Sequence, residues 1–155
     1  MGRTQMQDAV PIRLGQEFKA YSVAIMRDIH RMDKAMDEMR TLNMGGTAIG
    51  TGINADEGYL RRIVPNLTEI SGMDFIQAFD LIDSTQNLDP FVAVSGAVKA
   101  CAVTLSKMSN DLRLMSSGPR TGFGEINLPA KQNGSSIMPG KVNPVIPEVV
   151  NQVAF

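Results

Sequence analysis

Residues that most often carry chemistry are scarce in this chain, which has one histidine (His30), one cysteine (Cys101) and no tryptophan among its 155 residues. A single cysteine excludes an internal disulfide, and with only one histidine beside it the usual zinc-ligand spacings are excluded as well. One free thiol fits a reducing compartment. His30 stands beside Ile29 with no catalytic constellation around it, so it reads as a surface or interface residue. Nothing in the sequence supports a Ser-His-Asp triad. An excess of one charge is lacking too: 15 basic and 16 acidic residues leave a net charge of −1. There is no basic block or stripe for nucleic acid and no polybasic amphipathic helix for a membrane surface. The first residues lack the basic, apolar and small-residue order of a signal peptide, and no apolar run approaches the ~18 residues of a membrane-spanning helix. The expectation is a soluble, cytoplasmic protein without nucleic-acid or membrane partners. With 43% hydrophobic and 20% charged residues, disorder is a poor description of the whole.

What is plentiful is methionine, with 11 residues, which suits irregular gaps between packed helices. From Ile12 to about Asn43, apolar residues recur in steps of three and four at Leu14, Phe18, Tyr21, Ile25, Ile29, Met32, Met36 and Met39. That spacing predicts one face of a long helix, with Asn43, Gly45 and Gly46 as stop signals. A second long helix is predicted from about Pro90 to Ser116, capped by Asp89. Its stripe of Val94, Val98, Cys101, Leu105, Met108, Leu112 and Met115 suits a bundle. At ~40 Å such a helix exceeds a small domain and needs partners. Shorter helices are expected from Asp56 to about Ser71, with Pro65 as an interruption, and from Ile76 to about Ser84. A final helix is expected from Pro144 to Phe155, with Asn143 as a possible cap. No segment sustains the alternation of a strand.

Two glycine-rich stretches invite functional readings. Gly45 to Gly52 (GGTAIGTG) lacks the lysine of a phosphate-binding loop and follows a helix rather than a strand, so it reads as a turn. Gly118 to Pro144 is punctuated throughout by glycine and proline, and a loop of that length is usually functional or disordered. Within it, Ser135, Ser136, Lys141 and Asn143 sit among residues that permit flexibility. A serine alkoxide is a strong base, but forming it requires positive charge such as Lys141 and backbone N–H groups aimed at the oxygen. Lysine also suits a substrate carboxylate. Catalysis, anion binding and a structural loop all remain open on these grounds.

Three blocks carry a resemblance to a known family. Gly134 to Pro144 (GSSIMPGKVNP) resembles the signature loop of the fumarase/aspartase superfamily. Met1 to Pro11 (MGRTQMQDAVP) resembles a second block of that superfamily, and Gly46 to Asn54 (GTAIGTGIN) the connector after it. Together they span essentially the whole chain in the right order. The GKVN ending is similar to the fumarase and aspartase branches. Residues 110–120 (NDLRLMSSGPR), 125–129 (EINLP) and 144–155 (PVIPEVVNQVAF) look like the aspartase branch. Gln5 departs from the histidine typical of class II fumarases, and some aspartases resemble this chain there.

The resemblance implies an all-α fold, the long-helix bundle portion of that superfamily with a long glycine-rich catalytic loop, shared across a homotetramer. It implies a cofactor-free elimination, with no metal ligand among the site residues, that takes L-aspartate to fumarate and ammonia through an aci-carboxylate. Ser135 would be the base, with Thr4, Gln5, Lys141 and Asn143 binding substrate and Ser136 in support. Glu148 matches the acidic partner of the absent histidine, so Gln5 puts that relay in doubt. Residues 1–155 would form part of the central helical domain, without the N-terminal block and the C-terminal domain, and both ends read as internal to a longer protein. The isolated chain is expected to be inactive. The alternatives are a class II fumarase acting on malate, or a helical assembly module without catalysis.

Overall fold

A computed structural model describes residues 1–155. The predicted long helices are present: α1 spans Leu14–Glu38 and α4 spans Asp89–Met115. Between them come α2 (Glu57–Ser71) and α3 (Leu81–Gln86), and α5 (Val145–Ala154) closes the chain. Four two-residue strands, β1 (Arg3–Thr4), β2 (Gln7–Asp8), β3 (Thr41–Leu42) and β4 (Ile76–Gln77), complete a predominantly helical fold. The chain divides into two compact units, one of residues 1–28 with 99–155 and the other of residues 29–98.

In the first unit, β1 and β2 pair antiparallel, with Arg3 opposite Asp8 and Thr4 opposite Gln7. Gly2 N–H donates to Val10 O and Ala9 N–H to Gly2 O, each at 2.8 Å, which extends the hairpin. The α1 N-terminus is tied by the Gln16 side chain, which accepts from Arg13 N–H at 3.0 Å in the manner of a capping box. Tyr21, Asp28, Ser109, Met115 and Asn151 are the buried residues here. Tyr21 Oη donates to Asp111 at 2.9 Å, and Lys107 pairs with the same carboxylate one helical turn away. Burial and this hydrogen bond raise the Tyr21 phenol above its ordinary range. The α5 start is uncapped by any side chain; its N-cap is Pro144, with Asn143 contributing its carbonyl to Val145 N–H at 2.9 Å. The expected Asn143 side-chain cap is therefore corrected.

In the second unit, α1 ends earlier than Asn43 because the chain is already extended: β3 pairs in parallel with β4. Ile76 N–H donates to Arg40 O and Ala78 N–H to Leu42 O, at 3.0 and 2.9 Å. A parallel pair needs a crossover, and α2 provides it. The Asp56 side chain accepts from Tyr59 N–H at 3.1 Å to begin that helix, which then runs through Pro65 beside buried Val64. The predicted helix at Ile76 to Ser84 is corrected: Ile76 and Gln77 belong to β4, and the helix starts only after Asp80, whose carboxylate accepts from Ile82 and Asp83 N–H. Gly45 to Gly52 likewise follows a strand, not a helix.

Small residues, rather than the large members of the stripes, occupy several buried positions. Ala35 and Ala97 are buried, whereas Val98 is 53% and Met36 55% exposed. By length and composition α4 is apolar enough to cross a bilayer. Lys99 and Lys107 interrupt it, so no unbroken run is visible, yet the average is apolar.

Candidate active site

The hairpin tip is built under conformational constraint. Gln5 and Met6 have φ of 51° and 64°, the left-handed pair of a two-residue hairpin turn that normally selects Asn-Gly. Thr4 and Gln5, two predicted substrate-binding residues, lie at this tip, where Gln5 is exposed. Beside them, Arg3 reaches the loop that follows α4. Its guanidinium donates to both Glu125 oxygens, at 3.0 and 2.5 Å, and lies 4.0 Å from the Phe123 ring centroid. The fork holds the Glu125 carboxyl below the usual carboxylate range and raises Arg3 in return.

Within Gly134 to Pro144, the chain folds back on itself. A Cβ on Gly134 would come within 3.3 Å of Lys141 O and 3.4 Å of Met138 O, so the loop closes tightly at this point. Met138 N–H donates to Ser135 O at 3.0 Å, and Ile137 N–H donates to Ser135 Oγ at 3.2 Å. One backbone donor thus already faces the hydroxyl oxygen where a negative charge would develop. Both Ser135 and Ser136 are exposed.

Lys141 and Asn143 come together in an open cleft of about 450 Å³, lined also by Asn110, Arg113 and Ser116. Two cationic side chains beside two amides suit an anionic group. Thr4, Gln5, Ser135 and Glu148 do not line this cleft. Glu148 is exposed in the first turn of α5. This chain therefore assembles a Lys141–Asn143 cleft, a serine loop and a pinned hairpin, without uniting them in one pocket.

Sequence reasoning did not find Arg113, Asn151 or the Arg3–Glu125 pair. Asn151 is 8% exposed, and its amide lies 2.9 Å from both Ser106 Oγ and the Asn110 amide. With its amide nitrogen turned to Ser106, its oxygen also comes within 3.2 Å of Arg113 Nη1. The only local signal was the i,i+3 spacing of Asn110 and Arg113, which bond at 3.3 Å on one helical face.

A family model described as "Lyase" matches residues 1–155. Aspartate ammonia-lyases of Bacillus subtilis (strain 168) and Escherichia coli (strain K12) are 56% and 52% identical over all of this chain. The chain spans about a third of the length of these curated relatives (33% and 32%). A solved fumarate lyase:delta crystallin from Brucella melitensis is 54% identical with a TM-score of 0.94, covering 99% of this chain and 33% of that one. The class II fumarase of Schistosoma mansoni is 35% identical with a TM-score of 0.89, over 99% of this chain and 35% of that one.

Proposed function

We propose that this chain, which belongs to the lyase family of the fumarase/aspartase superfamily over residues 1–155, serves an enzyme that reversibly converts L-aspartate to fumarate and ammonia. The observation that carries the reading is the Ser135 loop, where Ile137 N–H already donates to the hydroxyl oxygen, in a chain 56% identical to an aspartate ammonia-lyase. Ser135, as alkoxide, takes a proton from the carbon next to the β-carboxylate. The freed electron pair moves into that carboxylate and forms the dianionic aci-carboxylate. Its collapse makes the carbon–carbon double bond and breaks the carbon–nitrogen bond, with the α-ammonium leaving as neutral ammonia. The serine proton then passes on, so the products are fumarate and ammonium.

The Ile137 N–H stabilises an oxyanion at Ser135 only in part, so further positive charge is required. Lys141 supplies that charge and, with Asn143, binds the α-carboxylate as a point charge beside an amide donor. Thr4 holds the substrate through its hydroxyl. Gln5 contributes an amide that does not titrate, so it orients substrate and relays no proton to Glu148. Ser136 supports the loop. The scheme routes no step through a cofactor.

Residues 1–155 act as part of a central helical domain in a homotetramer. The exposed apolar residues Phe18, Met26 and Ile29 of α1 and Ile146, Val149 and Val153 of α5 support such an assembly, because unpartnered apolar faces mark interaction surfaces. The enzyme is soluble and cytoplasmic.

The test follows fumarate by ultraviolet absorbance in the full-length protein. Aspartate turnover is expected, and malate turnover without aspartate activity moves the assignment to a class II fumarase. Ser135→Ala should lower kcat by roughly 10²–10⁴ while preserving the oligomer, the range for a lost general base. A variant within twofold of the unsubstituted protein discards Ser135 as the base.

A further inference from the structure

We propose that Arg3 and Glu125 are positioning residues: their bidentate ion pair, stacked on Phe123, holds Thr4 and Gln5 in place for substrate. The claim rests on the reading of Thr4 and Gln5 as substrate-binding residues. A two-stranded hairpin is marginal by itself in water. This one also carries two left-handed non-glycine residues, Gln5 and Met6, which persist only where the surroundings over-determine them.

The surroundings can be followed residue by residue. Met115, 5% exposed, ends α4, and its carbonyl accepts from Glu125 N–H at 2.8 Å. The Glu125 carboxylate then receives both arms of the Arg3 guanidinium, and Arg3 is covalently next to Thr4. A continuous path of bonds thus leads from a buried helix end to the hairpin tip. Exposed ion pairs usually contribute little to stability, but this pair is a fork on a carboxylate with an aromatic ring beneath it. Its side chains are only 24% and 33% exposed. A planar fork fixes direction as well as distance, which a lysine ammonium does not. Asp8, opposite Arg3 in the hairpin, and Glu17 add negative charge near Arg3 but do not replace the fork.

The experiment compares Arg3→Gln, Glu125→Gln, their combination and Arg3→Lys in the full-length protein. Kinetics with aspartate are read beside hydrogen exchange at the Ala9 amide, which bonds across the hairpin. Each Gln variant is expected to lose about tenfold in kcat/KM, mostly through KM, and the combination to lose no more, because coupled partners are non-additive. Ala9 should exchange faster in all of them. Arg3→Lys keeps the charge and the fold and should still raise KM about threefold or more, since a point charge cannot replace the fork. The proposal is overturned if the variants stay within twofold, or if the single losses multiply to about a hundredfold as independent sites do. Should a Gln variant fail to fold, an unchanged KM in Arg3→Lys overturns the proposal by itself. An unsubstituted protein that forms no fumarate from aspartate removes the functional reading, and this claim with it.

Discussion

Replacing Gly50 with alanine should be the most damaging single methyl addition in the connector between β3 and α2. A Cβ at Gly50 would lie 2.4 Å from Ile82 Cα, 2.5 Å from Ile82 N and 2.6 Å from Leu81 C. All three are backbone atoms of the first turn of α3, which the Asp80 carboxylate caps through Ile82 and Asp83 N–H. No flexible side-chain end is available to move aside. The φ of +89° adds about 1–2 kcal/mol for any residue with a Cβ. Forcing the backbone apart adds about 1–3 kcal/mol, and the stiffer unfolded chain returns only about 0.4–1 kcal/mol. The net loss is about 3 kcal/mol, a large share of the ~5–15 kcal/mol that a folded domain holds. Urea unfolding followed by circular dichroism should show the midpoint falling by roughly 1.5 M for a slope of about 2 kcal/mol/M. Gly15→Ala, inside α1 with nothing within 4 Å of the added carbon, is the control and should be neutral or slightly stabilising. A Gly50→Ala midpoint within about 0.3 M of the unsubstituted protein would refute the close-approach argument.

Tyr21→Phe removes the donor to Asp111 and should cost about 1 kcal/mol, the net worth of one hydrogen bond; no change in unfolding midpoint would mean that Lys107 alone satisfies the carboxylate. Because the folded Tyr21 phenol is raised, its contribution is intact below the ordinary tyrosine range and is lost as pH rises through the higher folded value. Absorbance titration should therefore show a late-ionising tyrosine that Tyr21→Phe removes, and the absence of a late step would contradict the burial. Glu125 runs the opposite way: its folded carboxyl is lowered, so its contribution exists above the ordinary carboxylate range and disappears as pH falls through the folded value. Ala9 amide protection should drop on acidification in the unsubstituted protein, and that pH dependence should be absent in Glu125→Gln.

The long helices were legible because their periodicity spans many turns, and the signature loop because its composition is unlike the rest. Boundaries were less so. The end of α1 depended on the distant Ile76 and Ala78 amides that pair with Arg40 and Leu42, which no local signal reveals. The same pairing turned the expected start of a helix at Ile76 into a strand. Pro65 locally favours an interruption, although α2 continues through it. Stripe counting selected large apolar residues, yet Ala35 and Ala97 are buried while Val98 is half exposed. Periodicity locates a face, and the size of the side chain decides how closely another element approaches it. In the candidate site, each residue type was visible in sequence, but the Arg3–Glu125 contact bridges 122 positions and has no sequence period.

The parallel contact of β3 with β4 also has a meaning in polymer terms. It pins together the two ends of a segment that begins at Asn43 and ends at Phe75, carrying all of α2. Once those ends are joined, the closure entropy rises only with the logarithm of the enclosed length, and even doubling that length adds about 0.6 kcal/mol. The turn at Gly72 to Asp74, just before β4, is exposed, so added residues there would meet solvent rather than a packed interior. Residues inserted there would enlarge a ring whose clasp lies elsewhere, in the backbone bonds at Arg40 and Leu42.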